Sequence, residues 1–416
     1  MLMKSLAGAG LAVALGLSSA VAADTKFCVL HTSQTSDVYF KQVAEAYNKA
    51  HPGVQVVVEY MEGEAYKQKL PTLLQSAERP ALIYSWAGGV LKAQVAADFV
   101  QDLSGAKAEL AKTVYPAALD AYVVDGKLYG VPMILGDVSI IYNKDLLAKA
   151  GVDPASMATW DGFLAAVKKI KAAGIIPLTM GGADKWPMHF YWSYLLMRSG
   201  GGDVLKVAQA GGKTGFKAQP FIDAGVRLRE LAALEPFQPG WLGAKNVPAQ
   251  GVFGDGKAAM ALQLNGFMGG QQKNASDGKG IAFDKIGRAP FPTLPGGKGK
   301  TTDVLGGVQG FLVTKTAPKE ALDFLKFFAT KENHQGAAES GTYLPAIIGT
   351  DAYIKNPLFV DVAKTVASAT AFQNFLDQDL GPSVGRVVND VSVAIAAGDM
   401  KPEDGASQVQ DAWNQQ

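Results

Sequence analysis

Between Lys26 and Trp86 the chain alternates short apolar, β-branched runs with helically spaced apolar residues, and few folds accommodate that order. Lys26 to Thr32 forms the first run, followed by Val38, Val43, Ala46 and Tyr47 at helical spacing. Val54 to Tyr60 is β-branched and bounded by Pro52-Gly53. A helix carrying Leu70, Leu73 and Leu74 follows, with a bend expected at Pro71, and Ala81 to Trp86 reads as a third strand. This β-α-β-α-β order predicts a parallel sheet with right-handed crossovers. Ligands of such sheets gather beyond the carboxyl ends of the strands. Those ends are His31 to Gln34, Met61-Glu62 and Ser85 to Gly89, which makes Gln34, Glu62, Ser85 and Trp86 binding candidates.

With 416 residues the chain exceeds what one core usually supports, so two domains are expected. Hydrophobic residues at 48% and charged residues at 19% exclude global disorder. The Gly-rich pieces near Gly269–Gly280 and Pro295–Gly299 read as loops. Lys4, the uncharged run Leu6 to Leu17 and the small residues Ala20 to Ala23 have the order of a cleavable export signal, residues 1–23. The run is shorter than the ~20 residues a bilayer span needs. No cysteine sits at the cleavage region, so a free periplasmic protein is expected rather than a lipid-anchored one. Loss of Lys4 takes the formal net charge from +1 to zero, which gives no support for nucleic-acid or anionic-membrane partners. Cys28 is the single cysteine and cannot form an internal disulfide; buried packing explains it better than chemistry with His31, which should face the opposite side of its strand.

Enzyme signatures fail on their context. Gly212-Lys213-Thr214 and Gly299-Lys300-Thr301 carry the tail of a phosphate loop, but Val207 and Leu294 stand where its upstream glycine is required. Gly381-Pro382-Ser383-Val384-Gly385 fits G-x-S-x-G, yet no strand reads before it and no histidine follows His334. A helix-starting turn is expected there. His31, His51, His189 and His334 are too scattered for a zinc site, and no cofactor is implied.

What the chain does offer is aromatics beside polar groups at loop positions. A sugar presents apolar C–H faces and a hydroxyl rim, so its site needs flat rings and hydrogen-bonding side chains. Trp86 either stacks on ligand or packs in the core. Trp186 lies in the loop after the strand Ile175–Met180, ahead of a helix that buries Trp192; His189 either joins a site there or packs at the helix start. Thr159 caps a helix beginning at Trp160, while Trp241 and Trp413 are assigned to packing. Asp137 sits among apolar neighbours and needs a partner, either a sugar hydroxyl or a structural hydrogen bond. Asn265 follows the strand Ala258–Leu264.

Asp125-Gly126-Lys127-Leu128-Tyr129-Gly130-Val131-Pro132, Ile141 to Leu147, Lys149-Ala150-Gly151 and Thr159-Trp160-Asp161-Gly162-Phe163 follow one another in an order and spacing that resembles the type 1 extracellular solute-binding proteins. These are the carbohydrate-binding receptors of bacterial ABC importers, and the resemblance runs over essentially the whole mature chain. It implies an α/β fold of two lobes, a type II-like periplasmic binding protein, with a hinge of several crossing segments and a ligand cleft between the lobes. The crossings would fall near Val131–Ile140, Thr301–Gly306 and Gly341–Ala346. That division gives an N-terminal lobe of 24–135 plus 305–341 and a C-terminal lobe of 140–300 plus 347–416. Trp86-Ala87-Gly88-Gly89 matches the family's W-x-G-G. The family commonly has a ligand-stacking aromatic where Trp186 stands and a Gly-rich ligand-facing turn where Gln309 stands. Phe267 replaces the tryptophan of a G-x-W element beside Asn265. Phe375 and Asp377 resemble an aromatic-x-Asp sugar loop; the residues alone equally allow a buried Phe375 and a capping Asp377.

The reading is a monomeric receptor that binds a sugar or short oligosaccharide and delivers it to an ABC permease, without chemistry. A polyol, a glycerophosphodiester or another small solute is the alternative on the same scaffold. A carbohydrate-active enzyme using Asp137 and Asp377 is the rival from a different class.

Overall fold

A computed structural model describes residues 25–416; the expected signal, 1–23, lies outside them. Three strands open the described chain, β1 (Thr25–His31), β2 (Val54–Tyr60) and β3 (Leu82–Trp86), and β1 pairs in parallel with both of the others. The helices Asp37–Ala50 and Gly63–Gln75 connect them; Pro71 is accommodated within the second. A short hairpin, β4 (Val123–Val124) and β5 (Lys127–Leu128), turns at Asp125-Gly126, where both residues have positive φ.

Two long strands then tie the molecule together. β6 (Gly130–Asn143) and β10 (Asp303–Val313) run antiparallel, with the register shifting between Gln309 and Gly310. β7 (Ile176–Leu178), β8 (Ala258–Leu264) and β9 (Ile286–Ala289) lie between them in the chain. The sheet order is β2-β1-β3-β10-β6-β8-β7, with β9 and β11 (Leu344–Pro345) on β6 and β12 (Ala371–Asn374) on β10. β3 meets β10 antiparallel, so the parallel sheet read from the N-terminal strands is one part of a mixed sheet.

The buried apolar residues divide along these strands. On β6, Val131, Met133 and Ile134 pack with β1–β3 and the helix Lys319–Phe328, whereas Val138 and Ile140 pack with Trp160, Phe163 and Trp192. On β10, Val308, Phe311, Leu312 and Val313 belong to the first cluster and Leu305 to the second. A third cluster covers the other side of the second part, around Ile141, Phe267 and Phe359. The fold is therefore α/β with two lobes. One reading is corrected in part: of the loop expected near Gly269–Gly280, the stretch up to Asn274 belongs to the helix Phe267–Asn274, although it contains Gly269 and Gly270, and the rest is loop. Phe267, Met268 and Gln271 are buried on it, and that packing outweighs the helix-weakening glycines. Gly381 to Ser383 opens the helix Gly381–Ala397, the turn expected there. No helix among the described residues is long and apolar enough to cross a membrane.

Candidate functional site

The carboxyl ends of β1, β2 and β3 face the loops after β7 and β8 across a cleft. Two adjoining cavities of about 220 and about 210 Å³ occupy it, sharing Thr32, Ser33, Gly63, Trp186, Leu264 and Gln309 in their walls. Together they fall within the range of small-ligand sites, roughly 300–1,000 Å³.

The first cavity takes Gln34 and Glu62 from one side and Asp184, Asn246, Gln263 and Asn265 from the other. Glu62 also caps the helix Gly63–Gln75, accepting from the N–H groups of Glu64 and Ala65 at 3.2 Å each. Asp184 accepts from the Asn246 N–H at 2.7 Å and is 7% exposed. Burial holds its pKa above the usual value, against that hydrogen bond, and the Glu62 charge adds to the rise. Gln263 donates to Asn246 Oδ1 at 2.9 Å, and Asn265 donates weakly to the Leu135 carbonyl at 3.4 Å.

The second cavity is lined by Trp86, Trp186, His189, Gln309, Phe375 and Asp377 together with Tyr84, Glu64 and Lys67. Trp86 is half-buried, packs against both main clusters and meets Tyr84 edge-on at 5.5 Å between centroids. Trp186 is likewise half-buried and rests edge-on against Phe190. Gln309 accepts from the Tyr84 hydroxyl at 2.6 Å. Phe375 packs beside Phe190 in the second core while its edge reaches the cavity. Asp377 Oδ2 accepts from Lys67 (3.4 Å), Gln378 (2.9 Å) and Asn389 (3.2 Å). Burial pushes the Asp377 carboxyl up, but Lys67, His189 and Asn389 outweigh it and hold it below the usual range. Lys67 is shared with Glu64 at 3.1 Å.

Two named candidates lie elsewhere. Ser85 is buried and donates to Gln94 Oε1 at 2.7 Å. Asp137 is fully buried and ion-paired to Arg288, which also holds Asp361 and Ser139. Of its two readings, the structural partner is therefore the one present. This also separates Asp137 from Asp377, since only Asp377 lines the cleft. The cleft adds Tyr60, Lys67, Asp184, Asn246 and Gln263 to the sequence candidates. Tyr60 closes β2 and Asp184 shares the loop of Trp186, so the strand-end rule could have found both. Lys67 carries no local signal, because its partner Asp377 lies 310 positions away.

Residues 31–335 match the family of bacterial extracellular solute-binding proteins. A putative binding protein of Brucella abortus (strain 2308) is 27% identical over 343 residues, covering 81% of this chain and 79% of that one. Maltodextrin-binding protein MdxE of Bacillus subtilis (strain 168) is 30% identical over 233 residues, 54% of this chain and 51% of its own. A solved chain from work on xylan utilization by Caldanaerobius polysaccharolyticus is 26% identical with a TM-score of 0.84, over 93% of this chain and 99% of that one. A chitin oligosaccharide binding protein, 22% identical, shares the fold with a TM-score of 0.82, over 94% and 98%. The family match begins at the end of β1 and runs past β10, taking in both crossing strands and the strand ends at the cleft, and the chain belongs to the bacterial extracellular solute-binding proteins.

Proposed function

We propose that this protein is the periplasmic receptor of an ABC importer, that it binds a sugar or short oligosaccharide in the cleft, and that it hands the solute to the membrane permease. The observation that carries the reading is the pairing of two half-buried tryptophans, Trp86 and Trp186, with a wall of amide and carboxylate groups in one cleft. Flat rings suit the C–H faces of a sugar and the polar wall suits its hydroxyls. The names of similar proteins, a maltodextrin-binding protein and a multiple sugar-binding protein among them, support the same class. Gln34, Glu62, Asn265, Gln309, Phe375 and Asp377 complete the proposed contacts, with Asp184, Asn246 and Gln263 added to them. The lobes are assigned to 24–135 with 305–341 and to 140–300 with 347–416, with Leu305 and Ile347 each packing across that division. β6 and β10 bend between them as ligand draws the lobes together. Capture and release involve no bond breaking in the solute.

A thermal-shift screen over xylo-, malto-, chito- and raffinose-type oligosaccharides tests the reading. A bound sugar at 100 times its Kd adds ~2.7 kcal/mol of stability, which raises Tm. A panel in which no sugar moves Tm, while a polyol or a glycerophosphodiester does, would transfer the proposal to that solute.

A further inference from the structure

His189 stands in the first turn of the helix Trp186–Gly200, is 1% exposed, and lines the cavity that holds Trp86. Its Nδ1 lies 2.6 Å from the Trp186 carbonyl oxygen. A carbonyl only accepts, so Nδ1 carries the proton and the neutral ring presents a lone pair at Nε2. That buried Nε2 has no hydrogen-bond partner. The carboxylate beside it is Asp377, whose Oδ1 is 3.7 Å away, while Oδ2 is occupied by Lys67, Gln378 and Asn389. One acceptor therefore faces another, and both border the cavity.

We propose that His189 Nε2 and Asp377 Oδ1 form a subsite built only of acceptors, which selects solute hydroxyls as donors and closes when His189 takes up a proton. The inference rests on the sugar reading and deepens it. Neighbouring hydroxyls on a sugar ring can give one hydrogen to each acceptor. A carboxylate, phosphate or ether oxygen at that place has none to give. The charged groups facing His189 are Asp377, from the helix Leu376–Asp379, and Lys67 with its partner Glu64, from the helix Gly63–Gln75; Asn389, from the helix Gly381–Ala397, is neutral. With His189 neutral, Glu64, Lys67 and Asp377 carry one net negative charge, which further disfavours anions. A protonated Nε2 would instead donate to Asp377, and both groups would be consumed internally. Burial, opposed by Asp377, lowers the His189 pKa beneath the ordinary 6.5, so the subsite is open at neutral pH and shuts on acidification.

The test uses the mature chain and the sugar with the largest thermal shift in the screen. Long-range ¹H–¹⁵N spectra of the free protein near neutral pH should show His189 with the proton on Nδ1 and none on Nε2. Calorimetric titration from about pH 7.5 to about pH 4.5 should show Kd rising up to roughly tenfold per pH unit below the His189 pKa. His189→Gln keeps an oxygen acceptor but does not titrate. Its Kd should vary less with pH than that of the wild type, with only the other cleft acids contributing. A proton on Nε2 at neutral pH, or wild-type and H189Q Kd values that run parallel with pH, overturns the subsite. If H189Q fails to fold, the tautomer decides alone. A screen in which no sugar binds defeats the sugar reading, whereas an Nε2 proton defeats the subsite whatever the screen shows.

Discussion

Trp186 and Trp192 share one helix but not one environment. Trp186 is half-buried at the cleft, and Trp192 is fully buried against Phe221 in the second core. Trp186→Ala should weaken sugar binding by roughly 1 kcal/mol, about fivefold, through lost stacking area, with little change in the Tm of the free protein. Trp192→Ala should cost about 3–5 kcal/mol of stability through the cavity it leaves. Calorimetry and urea unfolding of both variants separate the two roles; equal destabilisation by both would assign Trp186 to the core. Asp377, a proposed solute contact, is also held inside the protein, because its partners include Lys67. Its folded pKa lies below the ordinary 3.8, so its contribution is present at neutral pH and lost as pH falls through that lower folded value. Asp377→Asn should therefore lower stability by about 1–3 kcal/mol at neutral pH, as expected for hydrogen bonds to a charged group. The gap to wild type should shrink in strong acid. Melting curves across that range check it, and a gap independent of pH would mean that lost charge is not the cause.

The crossing strands depend on close backbone approach. Gly306 on β10 faces Asp137 on β6, and a Cβ on Gly306 would collide with the Gly136 carbonyl oxygen and the Phe372 ring. The ring could turn aside; the backbone oxygen cannot without disturbing the β6–β10 pairing. Gly306→Ala should therefore destabilise by about 1–3 kcal/mol. Denaturant midpoints of the variant measure this, and an unchanged midpoint would show that the crossing is slack. Strand limits are legible where an apolar or β-branched run is bounded by turn residues: Val54–Tyr60 and Ala258–Leu264 match β2 and β8. The helix Phe267–Asn274 is not, because glycine content is a local cue, while that helix is held by Phe253 and Phe359 packing around Phe267.

At the scale of the molecule, the cleft walls come from chain segments on both sides of β6 and β10. On the proposed reading, a ligand that contacts both walls would favour a closed arrangement and shift the population toward it. The radius of gyration from small-angle scattering should fall when the cognate sugar is added and stay constant with a sugar that does not bind. Tight binding with an unchanged profile would count against closure.

The sequence by itself settled the alternation of strands and helices from Lys26 to Trp86, the motif order from Asp125 to Phe163, and the carboxyl ends of the first three strands. These follow from local periods of apolar residues and from short capping and turn motifs. Only the tertiary structure decided which polar residues at those ends meet in the cleft. Ser85 turns to Gln94 and Asp137 to Arg288, while Asp377 draws in Lys67 from 310 positions away. A buried charge takes its role from the partner that compensates it. For Asp137 that partner comes from β9 beside β6, and for Asp377 from the helix Gly63–Gln75, and no local pattern in the chain encodes either.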